Sequence, residues 1–279
     1  YDFGRKEIVW KPIVSWVYKG STAEWLTLRI PQTNHKRTIT CTPNHEIYTP
    51  EGKKLAKDLR PGDKVYIKSD LISEEQNQLI LGTLLGDSSL LLDKHSFSNP
   101  RLSIPHSIKQ KEYLMWKAKE LANLDPVIET HRTSGFGSQM LCVRTKASPS
   151  LRRYYSLRYP KSHAYRSMDE LTLRGLAVWC MDDGSLANNP FQRPRFKIHA
   201  NRYPKSTVER MAKSLTNKFG YQVNPRNYGK GFVLQFDTDS TETLIEDLAP
   251  YFHPSLSYKL NLKPKEVGEK LRFPVKRGE

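Results

Sequence analysis

The chain has 279 residues, enough for one large domain or two to three small ones. Lys and Arg number 45 against 29 Asp and Glu, a net charge of +16, and each of the segments 1–70, 71–170 and 171–279 is net positive. No run of 18 apolar residues exists and Tyr1–Arg5 opens no apolar stretch, so neither a membrane span nor a secretory signal is expected. Cys41, Cys142 and Cys180 lie far apart with no CxxC pair, which predicts a reduced intracellular protein without a disulfide framework or zinc knuckle. Positive charge carried by the whole body, and not by a tail, points to a polyanion; nucleic acid is the expected partner.

In chain order, residues 1–70 read as strands. Ile8–Trp10, Ile13–Tyr18 and Trp25–Ile30 are rich in β-branched and aromatic residues, and Lys19–Ser21 and Pro50–Gly52 are turn signals between them. Ser73 followed by Gln76 is a capping-box signature, with Glu74 and Glu75 in the acid-friendly first turn. The apolar helix behind it, Leu79–Gly86, stops at Asp87. A second apolar helix, Leu176–Met181, stops at Asp182–Asp183. The tail 263–279 is charged and carries Pro264 and Pro274.

Residues 97–123 repeat at 191–217 with a constant offset of 94 and nine identities in 27 ungapped positions. Phe97, Pro100, Arg101, Ile104 and Lys111 find Phe191, Pro194, Arg195, Ile198 and Lys205. Within each copy a strand-like PR-x-x-I piece leads into an amphipathic helix, near 111–122 and 206–218. Leu141–Thr145 then resembles Leu234–Thr238 in texture. Two such copies predict a pseudo-two-fold α+β body, with halves at 71–170 and 171–262.

Each repeat begins behind a helix that ends in an acid. There the helix dipole disfavours a carboxylate by a few tenths to about 1 kcal/mol. Gly82 and Gly86 share a helix face and permit close approach of a second helix. If the two apolar helices pack together, Asp87 and Asp183 meet and repel unless a cation lies between them. A hard divalent ion with one or two carboxylate ligands resolves that repulsion. Asp182 has Gly86 as its counterpart, which suits a cap or supporting group better than a ligand.

Ile80–Ser88 and Leu176–Gly184 resemble the two motifs of a single-chain LAGLIDADG homing endonuclease, and residues 73–262 follow that pattern through PRFKIHAN and Ser257–Leu260. The resemblance implies two αββαββα halves whose sheets form a saddle over double-stranded DNA, in a monomer with internal pseudo-symmetry. It implies Mg²⁺-dependent cleavage of a long site with short 3′ overhangs; Mn²⁺ is expected to substitute and Ca²⁺ to bind without supporting cleavage. The metal would lie at Asp87 and Asp183, beside Gly86 and Asp182. A basic residue from each half would stand near the scissile phosphate: Lys259 in the second, and either Lys161 or Arg166 in the first. Ser88 and Val178 depart from the family's usual glycines, and Val178 implies a looser or differently packed helix pair.

DNA contacts are expected from cations in or beside strand-like segments: Arg101, Arg144, Arg193, Arg195, Lys197, Arg226 and Lys230. At the N-terminus, Thr42–His45 and Leu59–Val65 resemble the TxxH block and following strand of a Hint domain, the splicing fold of inteins. No Cys or Ser opens the chain and no His-Asn pair closes it. Thr42 and His45 are therefore expected to be a splicing-inactive remnant, with the positively charged module 1–70 contributing DNA contacts. Two other readings stay open: a LAGLIDADG-derived RNA maturase or regulator without cleavage, and a fragment of a splicing intein.

Overall fold

The computed structural model describes residues 24–31, 36–65, 72–92, 99–131, 139–158, 161–189, 192–229 and 231–271. The strand segments expected at Ile8–Trp10 and Ile13–Tyr18, and Lys230, lie outside them. The chain divides into two compact units, Tyr1–Lys68 and Ser69–Glu279.

Two antiparallel hairpins form the described part of the first unit. Strand β1 (Leu26–Pro31) pairs with β2 (Lys36–Cys41), and β3 (Glu46–Thr49) with β4 (Gly52–Leu55). Alternate residues Ile47 and Thr49 point inward, and Ile47 joins Cys41 and Ala56 in a small core. The Pro50–Gly52 turn closes through Thr49 Oγ1, which donates to the Gly52 carbonyl at 2.7 Å. Gly52 has φ +117°, a conformation that favours glycine. Thr42–His45 is a tight turn in which the His45 N–H donates to the Thr42 carbonyl at 3.0 Å, and the His45 side chain is exposed.

The second unit is built twice on one plan. Helix α1 (Glu74–Leu85) precedes β5 (Ser89–Leu91), β6 (Arg101–Ser107), α2 (Lys111–Glu120), β7 (Val127–His131), β8 (Met140–Arg144) and α3 (Arg152–Arg158). Helix α4 (Leu173–Asp183) precedes β9 (Gly184–Asn189), β10 (Gln192–His199), α5 (Lys205–Phe219), β11 (Val223–Tyr228), β12 (Gly231–Phe236) and α6 (Thr238–Leu248). The antiparallel sheets run β5-β6-β8-β7 and β9-β10-β12-β11, the same order in each. Short 3₁₀ segments, Lys161–Met168 and Pro254–Leu260, follow α3 and α6. Val267 and Leu271 of the tail pack into the core.

Strand register corrects one sequence alignment. Ile104 of β6 lies opposite Val143, and its repeat partner Ile198 lies opposite Leu234, so Val143 corresponds to Leu234. The textural match of Leu141 with Leu234 is thus displaced by two residues. The hairpins explain this: Tyr228 of β11 pairs with Gly231 of β12, whereas β7 and β8 are joined by a longer connection. A displacement of two keeps each side chain on its face, so the pattern could not reveal it.

Helices α1 and α4 pack on each other through the centre of the core. The Ser73 capping box forms, with Ser73 Oγ accepting from the Gln76 N–H at 3.2 Å and Gln76 Oε1 accepting from the Ser73 N–H at 3.0 Å. Helix α4 lacks a side-chain cap of its own; Gln78 of α1 supplies one, its Oε1 accepting from the Thr172 N–H at 2.8 Å. A Cβ on Gly82 would lie 2.3 Å from the Gly175 carbonyl oxygen and 2.7 Å from Val178 Cβ, so Gly82 is a point of backbone contact. Val178, fully buried, covers that glycine, so the helix pair is in close contact there and not loose.

Candidate metal and nucleic-acid site

The crossing of α1 and α4 brings together the ends of the two repeats. Gly86 caps α1 with its N–H on the Gly82 carbonyl at 3.1 Å, and a Cβ there would meet Asp182 Cβ at 2.5 Å. The counterpart positions 86 and 182 therefore touch, leaving room for one side chain between them. Asp87 and Asp183, each the next residue, stand beside this contact. Burial pushes Asp87 up to about 6, the Asp182 charge adding to the rise and Lys117, Arg202 and Lys259 opposing it. Burial pushes Asp183 up to about 7, reinforced by the charges of Asp87 and then Asp182. Two carboxylates that each resist ionisation beside another negative charge fit a hard divalent cation, which such a pair holds when ionised.

The carboxylate of Asp182 does not belong to that pair. It is fully buried and accepts from Lys117 Nζ at 2.7 and 2.9 Å, from the Tyr113 hydroxyl at 2.9 Å and from Thr83 Oγ1 at 2.8 Å. Burial alone would raise its pKa, but the Lys117 charge and the hydrogen bonds from Lys117 and Thr83 hold the carboxyl below the ordinary range. Burial likewise lowers the Lys117 ammonium, against the attraction of Asp182. One ligand atom each of Asp87, His106 and Asp182 lies within 4.8 Å of the others, yet the Lys117 ammonium already serves two members of that set. The Asp182 carboxylate oxygens are thus engaged by internal donors.

Lys259 reaches the same place from the 3₁₀ segment after α6. Its Nζ donates to the carbonyls of Met181 at 2.6 Å and Asp182 at 3.0 Å, a cation on the negative end of α4. Burial lowers its pKa while the charges of Asp182, Asp87 and Asp183 oppose the fall. The end of α1 receives a neutral donor instead, the Tyr203 hydroxyl on the Leu85 carbonyl at 2.7 Å. Arg166 is exposed and its interaction is with Tyr165; the side chain of Lys161 lies outside the described residues.

Alternation sorts the sheet cations. Phe196 and Ile198 point into the core, so Arg195, Lys197 and His199 lie on the other face of β10. Pairing places Asn224 and Lys197 opposite Gln235, and Arg226 and His199 opposite Val233, which puts Arg226 and Tyr228 on that face too. Lys197 Nζ lies 5.8 Å from the Tyr228 ring centroid, and His199 packs edge-on against the same ring. On the first sheet Arg101 and Arg144 share the corresponding face, where Arg144 Nη1 meets Glu129 Oε2 at 2.8 Å. Arg193 lies at the irregularity between Gln192 and Arg195, and pairs with Asp239 at 3.3 Å and Glu242 at 2.8 Å, both on α6.

Residues 77–244, well over half of the chain, match the LAGLIDADG DNA endonuclease family. The chain belongs to that family. Among curated relatives, Protein RecA of Mycobacterium shimoidei is 32% identical over 277 residues, covering 93% of this chain and 64% of that protein. Probable intron-encoded DNA endonuclease 3 of Mycosarcoma maydis is 30% identical over 96 residues, covering 34% of this chain and 68% of that protein. Among solved structures, the homing endonuclease I-WcaI bound to its DNA recognition sequence superposes with a TM-score of 0.60 at 19% identity, covering 74% of this chain and 96% of that one. At that identity the likeness establishes the LAGLIDADG fold. The chain spans just under two thirds of the RecA relative's length.

Within this LAGLIDADG fold, sequence reasoning missed Lys117, His106, Arg202 and Tyr203. Lys117 carried one signal: it falls four residues after Tyr113, on the side of α2 that also buries Leu114 and Ala118, and its repeat counterpart is Met211. A lysine at an apolar repeat position calls for a buried acid. The partner, 65 residues away in sequence, requires the structure.

Proposed function

We propose that the chain is a site-specific endonuclease that grips a long double-stranded DNA site and hydrolyses one phosphodiester in each strand, leaving short 3′ overhangs. The observation that carries this reading is that Asp87 and Asp183 stand at the ends of two helices in backbone contact, each held above the ordinary carboxylate range by burial and neighbouring negative charge. Asp87 and Asp183 would hold the divalent ion, Mg²⁺ in the first instance, which supplies the charge neutralisation that phosphodiester hydrolysis requires. Lys259 and Arg202 supply fixed positive charge beside the carboxylates and so attract the phosphate. The saddle of two sheets would present Arg101 and Arg144 from one half and Arg195, Lys197 and Arg226 from the other to the grooves and backbone. Arg193 is better read as a tie to α6.

The test is cleavage of a randomised duplex library by the full chain with Mg²⁺, beside an EDTA control. Metal-dependent cuts at one enriched site support the reading. Selective binding without cutting would favour the RNA maturase or regulator class and move the search to RNA ligands.

A second reading concerns the whole protein. The match to RecA takes in 93% of a chain whose larger unit matches an endonuclease family, as expected of an element inserted in a host protein. The Thr42–His45 turn and the β-hairpins of the first unit suit a Hint-like module of an intein. Refolding the chain between flanking host segments and looking for ligated product by mass tests it; a chain that never splices leaves the module as a remnant.

A further inference from the structure

Lys117 is enclosed by the protein, and its three ammonium protons have three destinations: the Asp182 carboxylate, Thr83 Oγ1 at 2.8 Å and His106 Nε2 at 3.1 Å. An ammonium has no lone pair, so His106 Nε2 must be the acceptor in that contact. In a neutral imidazole the proton then resides on Nδ1. That nitrogen faces Gln110 Oε1 at 3.1 Å and Asp87 Oδ2 at 3.6 Å, both acceptors. The two hydrogen bonds of the ring, with Lys117 and Gln110, agree with that tautomer; Asp87 Oδ2 from Nδ1 and Asp182 Oδ1 at 3.7 Å from Nε2 both lie beyond hydrogen-bond distance. The second half has no such device, because the repeat counterparts of His106 and Lys117 are Ala200 and Met211.

We propose that Lys117 and His106 form a positioning relay for Asp87 alone, in which the buried ammonium fixes the imidazole as its Nδ1–H tautomer, so that the N–H edge of the ring, hydrogen-bonded to Gln110, faces the Asp87 carboxylate and steadies it electrostatically. The proposal rests on Asp87 being one of the two cleavage carboxylates, and it deepens that reading by making the two halves of the site unequal. His106 is a positioning residue: it supports Asp87 from behind, while Asp183 manages without a counterpart. The same ammonium binds Asp182, the neighbour of Asp183, so one buried charge braces both helix ends. A metal ligand role for His106 is disfavoured by the same geometry, since its bare nitrogen accepts from Lys117 and its protonated one donates to Gln110.

Two measurements test the relay. The first needs no DNA: ¹⁵N imidazole NMR of the full chain at pH 7, with the His106 signals identified by their loss in His106→Gln. Nδ1 protonated and Nε2 bare is expected, with Lys117→Met releasing the ring toward the Nε2–H form. An Nε2–H tautomer in the unaltered protein would overturn the proposal. The second is strand-resolved cleavage of a supercoiled plasmid carrying the site selected from the library. His106→Phe should slow one strand by about tenfold or more, the usual cost of losing such a supporting group. The other strand should keep its rate, so that nicked plasmid accumulates, and His106→Gln, which retains an N–H, should recover part of the loss. Equal slowing of both strands would reduce His106 to a packing residue and overturn the relay. A wild-type chain that cuts neither strand contradicts the endonuclease reading, and the tautomer measurement then decides the relay separately.

Discussion

At the scale of single residues, Asp87 and Asp183 are held in an environment that favours their protonated forms. The sign of the pH dependence follows. Carboxylates whose folded-state pKa is raised above 3.8 stabilise the metal-free fold at low pH and lose that contribution as pH rises through about 6 and 7. The difference in melting temperature between wild type and Asp87→Asn/Asp183→Asn in EDTA should therefore fall from pH 4 to pH 8. Added divalent ion should raise the wild-type melting temperature mainly above pH 7, where its ligands are ionised. The Lys117–Asp182 pair obeys different logic. Lys117→Met leaves a buried carboxylate without its partner and should cost about 3–5 kcal/mol in urea unfolding, whereas Lys117→Met/Asp182→Leu should recover most of it. Both acids of the candidate pair were legible in the sequence because each ends an apolar run at a matched place in a repeat. The fate of the Asp182 carboxylate was not, because Lys117, His106 and Tyr113 come to it from strand and helix positions far along the chain.

At the scale of elements, local chemistry did much of the specifying. Ser73 and Gln76 cap α1 as their spacing predicts, and α2 begins at Lys111 and α5 at Lys205, one repeat offset apart. Helix α2 stops at Glu120, short of the predicted 122, because its end tightens into the 3₁₀ turn Ala122–Leu124. Register escaped the sequence because a slip of two conserves the face of every side chain, and only hairpin length decides it. The helix crossing supplies a sharp test. In Gly82→Ala the new Cβ meets main chain, not a movable side-chain tip. The expected loss is about 1–3 kcal/mol or more by urea unfolding, with weaker divalent-ion stabilisation as Asp87 and Asp183 are pushed apart. Gly220→Ala, in a left-handed cap with open space around it, should strain only its own turn and leave the metal response intact.

At the scale of the whole molecule, the excess of positive charge becomes specific only when the sheet faces are drawn. Composition pointed to nucleic acid, but could not separate Arg195, Lys197 and Arg226, gathered on one face, from Arg193, tied to Asp239 and Glu242. Replacing Arg195, Lys197 or Arg226 by Gln should lower the slope of log affinity against log salt by about 0.9 for each phosphate that is no longer neutralised. Arg193→Gln should leave the slope unchanged. The first unit adds its own positive charge, and removing residues 1–68 should weaken DNA binding and flatten the same slope. Unchanged affinity would make that unit a passenger in binding.

Cleavage by Asp87 and Asp183 acting together is the proposal on which the rest depends. It is tested most directly by strand-resolved cutting of the selected DNA site, with Mg²⁺, by Asp87→Asn and Asp183→Asn separately. Both variants should bind the site with affinity close to wild type, and neither should produce a double-strand break. Full linear product from either variant would contradict a shared role for the two acids.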